Sequence, residues 1–247
     1  MTDGRLDFVA NTFLSKLEGF VPLLDADKAA VMRSSRSAQA VPAGTDLIQE
    51  GDPPAGVFLI LEGFACRYKL RANGTRQIMA YLLPGDAGDF DVALLQAMDH
   101  SIATLSDCSV VRIPPEAVRE LLQRPAVATA LRKSTLVDEA TAREWLVNVG
   151  RRAAVERLAH LFCELHLRLG AVGRADEHGF RLPLTQVELA DTTGMTPVHV
   201  NRSLRELRSE GVIELRHRHL AILDLPRLKQ IAEFKPGYLH LGEHTAA

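Results

Sequence analysis

Along residues 57–83 the apolar positions come in short runs or alternate with polar ones, and turn residues interrupt them at regular intervals. Glycines fall at 51, 63, 74 and 85, spaced 12, 11 and 11 apart, in the contexts "QEGD", "LEGF", "ANGT" and "LPGD". Short alternating strands broken at this interval predict a compact all-β unit, a barrel or sandwich. Asn73-Gly74 predicts a hairpin turn of the type that needs positive φ at both central residues. A short helical N-terminus precedes this region.

From residue 126 the period changes. "AVATALRKSTLVDEATAREWLVNVG" holds no proline and predicts a long helix, with Gly150 as its terminating residue. It carries two apolar stripes, Leu136–Ala140–Val147 and Val137–Thr141–Trp145–Val149. A helix with two apolar faces has two neighbours. One face fits the helix's own β-domain; the other fits a second subunit, which makes Leu136, Val137, Ala140, Thr141 and Trp145 the candidate dimer residues. A further amphipathic helix follows, "RRAAVERLAHLFCELHLRLG", with Val155, Leu158, Phe162 and Leu169 on its buried side.

The stretch "LTQVELADTTGMTPVHVNRSLRELRSEG" is the most specific. Thr185 and Glu188 form a T-x-x-E capping box that starts a short helix. Gly194 ends it, and Thr196-Pro197 opens a second helix with proline where a missing N–H costs nothing. Counted from Gln186, the small Ala190 is fifth, Gly194 ninth and the β-branched Val200 fifteenth, the types a helix-turn-helix needs there. The alternating runs "VIEL" and "LAILDL" flank "RHRH", which reads as a basic wing. On the second helix Val200, Leu204 and Leu207 point inward. Val198, Asn201 and Arg202 are the expected base readers: arginine forks onto guanine, asparagine pairs with adenine, and valine meets a thymine methyl. Thr185, Gln186, His199, Ser203, Arg205, Arg216 and His217 are the expected phosphate contacts.

Charge supports this division. The net charge of −2 splits into −4 over residues 1–150 (15 basic, 19 acidic) and +2 over residues 151–247 (14 basic, 12 acidic). That tilts the C-terminal part toward an anionic partner. The apolar runs are too short to span a bilayer, so no membrane association is expected. Three scattered cysteines and no secretory pattern point to a cytoplasmic protein. No GxSxG, HExxH, GxxxxGK[ST] or CxxC occurs, so no enzyme is expected. His160, Cys163 and Glu164 have helical metal-ligand spacing, but a packed helix explains them and no metal is assigned.

On the turn glycines, the long helix and the winged helix-turn-helix, in that order, the whole chain resembles the Crp/Fnr family of bacterial transcription regulators. The resemblance implies an α+β fold in three parts. These are a cyclic-nucleotide-binding-like β-roll (residues 1–125), a dimerisation helix (126–150) and a winged helix-turn-helix (151–247). It also implies a homodimer on a pseudo-palindromic promoter site, in contact with RNA polymerase. In family members that bind cyclic nucleotides, a Gly-Glu pair holds the ribose and an Arg-Ser pair grips the phosphate. The matching positions are Gly88-Asp89 and His100-Ser101. Histidine lacks arginine's bidentate fork and full charge. The scaffold of an effector pocket is kept with most of its phosphate grip gone, so no cofactor is assigned and a cyclic nucleotide is disfavoured. The polar pair that the family offers the purine falls near Ala142 and Arg143. The N-terminus lacks the cysteine cluster of the iron–sulfur branch. The glutamate by which the family reads cytosine falls at Val198, while the downstream arginine is kept as Arg202. The competing function is a small-molecule sensor module relaying to a protein partner.

Overall fold

A computed structural model describes residues 11–241. The ten residues before, where no targeting pattern was expected, and the last six of the chain lie outside the described residues. Two helices come first, α1 (Thr12–Phe20) and α2 (Asp25–Ser34). Asn11 starts α1, its side-chain oxygen accepting from the Leu14 N–H at 3.1 Å.

Seven strands follow: β1 (Ala38–Val41), β2 (Asp46–Ile48), β3 (Val57–Glu62), β4 (Ala65–Leu70), β5 (Arg76–Leu82), β6 (Ser101–Thr104) and β7 (Cys108–Ile113). They form two antiparallel sheets, ordered β1-β7-β3 and β2-β6-β4-β5. This is the expected β-roll. Leu59, Ile60, Leu82, Ile102, Val111 and Ile113 fill its interior, and Phe13 and Leu17 of α1 join the same core. All four spaced glycines take positive φ, from +80° to +94°. At Gly85 a side chain is excluded outright, because a Cβ would lie 2.6 Å from the Thr12 carbonyl oxygen.

The Asn73-Gly74 expectation needs correction. Only Gly74 has positive φ. Its N–H bonds the Arg71 carbonyl at 2.9 Å, so Ala72 and Asn73 are the central residues of a longer loop. The Asn73 side-chain oxygen accepts from the Thr75 N–H, an Asx-type bond that replaces the two-residue turn.

Helices α3 (Pro115–Leu122) and α4 (Pro125–Arg151) lead out of the roll. Gly150 does not end α4; the helix continues to Arg151 and stops where Arg152 turns extended. The C-terminal part comprises α5 (Ala154–Gly170), β8 (Ala175–Asp176), β9 (Gly179–Arg181), α6 (Gln186–Thr193), α7 (Pro197–Ser209), β10 (Ile213–Arg216), β11 (His219–Ile222) and α8 (Leu225–Ile231). Its antiparallel sheet is ordered β10-β11-β9-β8.

Helix α4 is shared between two cores. Val127, Ala130 and Leu131 pack into the roll. Trp145 instead joins a core that combines Tyr81 and Ile78 of β5 with Leu158, Phe162, Val200 and Leu220. The Trp145 ring meets Tyr81 edge-on at 5.5 Å, and its N–H donates to the buried Glu164 at 2.9 Å. Trp145 and Thr141 are therefore buried within their own chain, which corrects their place among the dimer residues. Helical spacing alone shows that α4 has two apolar faces, not which one its own chain takes.

Polar bonds tie the two parts together. Asp86 accepts from Lys16 at 2.5 Å, from Arg168 at 2.6 Å and from the Leu83 N–H at 2.9 Å. Burial alone would raise its pKa, but Lys16 and Arg168 outweigh burial and hold it at about 2. Arg168 also bonds Glu164 and the Tyr81 carbonyl oxygen. Strand β5 grips the end of α6 through Arg76–Asp191 at 2.9 Å and a hydrogen bond between the Tyr81 and Thr192 hydroxyls.

Candidate nucleic-acid interface and sensor cradle

Helix α6 begins as its residues dictate. The Thr185 hydroxyl accepts from the Glu188 N–H at 3.2 Å, and the Glu188 carboxylate accepts from the Thr185 N–H. Gly194 ends it at φ +66°, ψ +31°, freely open only to glycine. The Thr196 side chain then accepts from the His199 N–H, with Pro197 in the first turn of α7. Ala190 and Val200 are both buried where α6 and α7 cross.

Helix α7 separates its faces sharply. Val200, Leu204 and Leu207 are buried. Val198 is 75% exposed, a β-branched apolar side chain facing solvent. Arg202 is exposed and, among the described residues, makes no hydrogen bond or ion pair. Asn201 lies between them with its amide held: it donates to Gln186 at 3.3 Å and accepts from Arg205 at 2.9 Å. That chain joins both helices and fixes which way the amide presents. Thr185, Gln186, His199 and Arg205 are exposed. Ser203 is not. At 2% exposure it is buried beside Leu204, because the helical turn carries it toward the inner face, so it drops out as a phosphate contact.

The wing is the β10–β11 hairpin. Arg216 pairs with His219, and His217 and Arg218 take positive φ of 49° and 58°. This is the primed two-residue turn expected at Asn73-Gly74, formed here by two residues with side chains. Arg216 and His217 are exposed at its tip, with Arg216 leaning on Glu214 at 2.5 Å.

The cradle is built differently. Gly88, His100 and Ser101 are buried, and Gly88 bonds through its N–H to the Phe58 carbonyl oxygen at 2.7 Å. The Ser101 hydroxyl accepts from the Glu50 N–H at 2.9 Å. His100 is bonded through Nδ1 to Asp99 at 2.7 Å, while its buried Nε2 has no hydrogen-bond partner and lies 3.7 Å from the Asp89 carboxylate. That bond holds the Asp99 carboxyl below its ordinary pKa. Sequence reasoning missed the residue at the centre. Arg67 of β4 donates to Asp89 at 3.1 Å, to the Ala87 carbonyl oxygen at 3.2 Å and to Asp138 of α4 at 3.3 Å. Burial would lower the Arg67 pKa, but Asp138 and Asp89 outweigh it and the net shift is upward. An arginine set between Cys66 and Tyr68 on a strand whose neighbouring positions are buried was the available signal. Within the chain, Asp138 is the α4 residue that reaches the cradle; Ala142 and Arg143 are exposed.

The three cysteines and His160 are buried. Burial pushes the Cys66 and Cys163 thiols up to about 12 and raises Cys108. His160 is pushed down to about 4, chiefly by burial and further by Arg152, against the pull of Glu144. No three-residue metal-ligand cluster occurs among the described residues. No helix among them is long and apolar enough to cross a membrane.

Fold and site together define a winged helix-turn-helix DNA-binding regulator with a cyclic-nucleotide-binding-like domain. Comparison with known families agrees. A Crp-like helix-turn-helix domain matches residues 156–231, and a cyclic nucleotide-binding domain matches residues 38–125. The chain is 32% identical over 214 residues to the transcriptional activator protein FnrL of Cereibacter sphaeroides, covering 84% of this chain and 85% of that one. It is 27% identical over 191 residues to the nitrogen fixation regulation protein FixK of Bradyrhizobium diazoefficiens, covering 77% and 79%. The solved structure of FixK2 from Bradyrhizobium japonicum superposes with a TM-score of 0.70 at 24% identity, covering 79% of this chain and 96% of that one. The chain belongs to the Crp/Fnr family and is a DNA-binding transcription regulator; the relatives it matches are regulators, not enzymes.

Proposed function

We propose that the protein acts as a homodimer on a pseudo-palindromic promoter site, reading each half-site with Val198, Asn201 and Arg202. The observation that carries this reading is the outer face of α7. It exposes a valine and an arginine, the arginine without a hydrogen bond or ion pair among the described residues, with an asparagine fixed between them. Thr185, Gln186, His199, Arg205, Arg216 and His217 surround that face and suit phosphates. With Val198 where the family has glutamate, the half-site differs from the usual one at that base pair. By family resemblance, RNA polymerase is the partner on the promoter.

The dimer reading rests on the outer face of α4. Leu136 is 57% exposed and Leu146 is 76% exposed, with Val147 beside them. Arg132, Leu136, Glu139, Arg143, Leu146 and Gly150 follow the alternating four-three spacing of a helix pair. A second copy of α4 would cover this seam. Selection of duplexes from a random pool, followed by sizing of the complex, tests both points. The expected result is an inverted repeat bound by two chains. A single half-site bound by one chain would overturn it.

A further inference from the structure

A family member of this fold invites a cyclic nucleotide, but the residues present do not fit one. The position matching the ribose holder, Asp89, is engaged by Arg67 at 3.1 Å. Of the two positions matching the phosphate grip, Ser101 is bonded to the Glu50 backbone and His100 to Asp99. The positive group in the cradle is the chain's own guanidinium, with a side chain only 10% exposed. It touches three things at once: the Asp89 carboxylate, the Ala87 carbonyl oxygen and the Asp138 carboxylate on α4.

We infer that Arg67 is a tethered occupant of the sensor cradle, joining the β-roll to α4 through Asp89 and Asp138 in place of a diffusible effector. A ligand in a sensor of this build has to bridge the roll and the long helix, because α4 leads from the roll to the DNA-binding part. Arg67 makes that bridge without a ligand. Asp138 is its only charged partner on α4 among the described residues, and it lies only two positions from Leu136 and eight from Leu146 of the outer seam. Holding Asp138 therefore adds a polar tie to the packing of Leu131 and Trp145 and biases the direction in which the seam faces. Arg67 and Asp138 are positioning residues: neither is proposed to touch DNA. Loss of the guanidinium leaves two carboxylates facing a vacated polar space, and α4 loses its polar tie to the cradle.

This inference rests on the DNA-binding reading above, and its test separates the two. Wild type, Arg67→Ala and Asp138→Asn are compared for affinity to a duplex selected by the wild type. Hydrogen exchange of α4 is measured on each protein without DNA. Ethylguanidinium is then added at millimolar concentration to the Arg67→Ala variant. The expected result is a loss of affinity of about tenfold in Arg67→Ala and less in Asp138→Asn. Exchange across residues 131–145 should be faster in both, and ethylguanidinium should restore affinity and slow exchange in Arg67→Ala alone. Rescue by the missing group is not expected of a variant that is merely unstable. Unchanged α4 exchange in both variants, or exchange in Arg67→Ala that ethylguanidinium leaves unaltered, overturns the inference whatever DNA does. If the wild type selects no duplex, the DNA-binding reading fails while the exchange experiment still decides the role of Arg67.

Discussion

The recognition helix and the sensor cradle are both inherited from one family pattern, yet they present their polar groups in opposite ways. On α7, Arg202 and Val198 face outward, and Arg202 makes no hydrogen bond or ion pair among the described residues. In the cradle, Arg67, Asp89, His100 and Ser101 turn toward one another or toward the backbone. A buried charge without a partner is costly, so a cradle that has lost its ligand must find internal partners or change its residues. An exposed side chain carries no such penalty. Unused groups on a surface point to a partner, while a guanidinium that bridges Asp89 and Asp138 inside a pocket points to a function supplied from within.

The largest expected effect is at the joint between the two regions. Asp86→Asn leaves Lys16 and Arg168 without their shared carboxylate and should cost about 3–5 kcal/mol in a denaturant titration. A loss within experimental error would mean that the two regions are not coupled there. The same group sets an acid limit. Its pKa is depressed from 3.8 to about 2, so the stability it contributes is complete above 3.8 and is lost as pH falls toward 2. His160 acts earlier. Its folded pKa lies near 4 against 6.5, so stability should drain away as pH falls below 6.5 and the buried ring is forced to charge. His160→Gln should flatten that part of the pH–stability curve.

Smaller effects separate the regions. Arg202→Ala should remove about 1–3 kcal/mol of discrimination between the selected duplex and a scrambled one, while keeping most non-specific affinity. Equal loss on both duplexes would reassign Arg202 to a phosphate. Thr185→Ala removes the hydroxyl that caps α6 and should cost about 1 kcal/mol of stability by thermal unfolding, with no change at the cradle.

Much of the recognition unit was legible because its constraints are local. Thr185, Glu188, Gly194, Thr196 and Pro197 each act on the backbone within three or four residues, and each does in the structure what its type dictates. The turn glycines of the roll were legible for the same reason. What failed was non-local or depended on one competing bond. Trp145 required knowing which face of α4 meets β5 and α5. Ser203 sits where a helical wheel passes from inside to outside, and the packing of α7 decided it. Asn73-Gly74 lost to a longer loop closed by an Asx bond. Arg67 and Asp138 are 71 residues apart, so no spacing rule could join them. The three aspartates after Pro84 looked alike in sequence, yet Asp86 faces Lys16 and Arg168 at the joint while Asp89 faces Arg67 in the cradle.

An open recognition helix joined to a sensor bridged by its own side chain requires DNA binding that needs no effector. The most direct measurement is a binding isotherm on the selected duplex at fixed salt and pH, with and without cyclic AMP. Sequence-specific binding of the same affinity is expected in both. A saturable gain in affinity at micromolar cyclic AMP would contradict it, because Arg67 would then have to yield the cradle to the nucleotide.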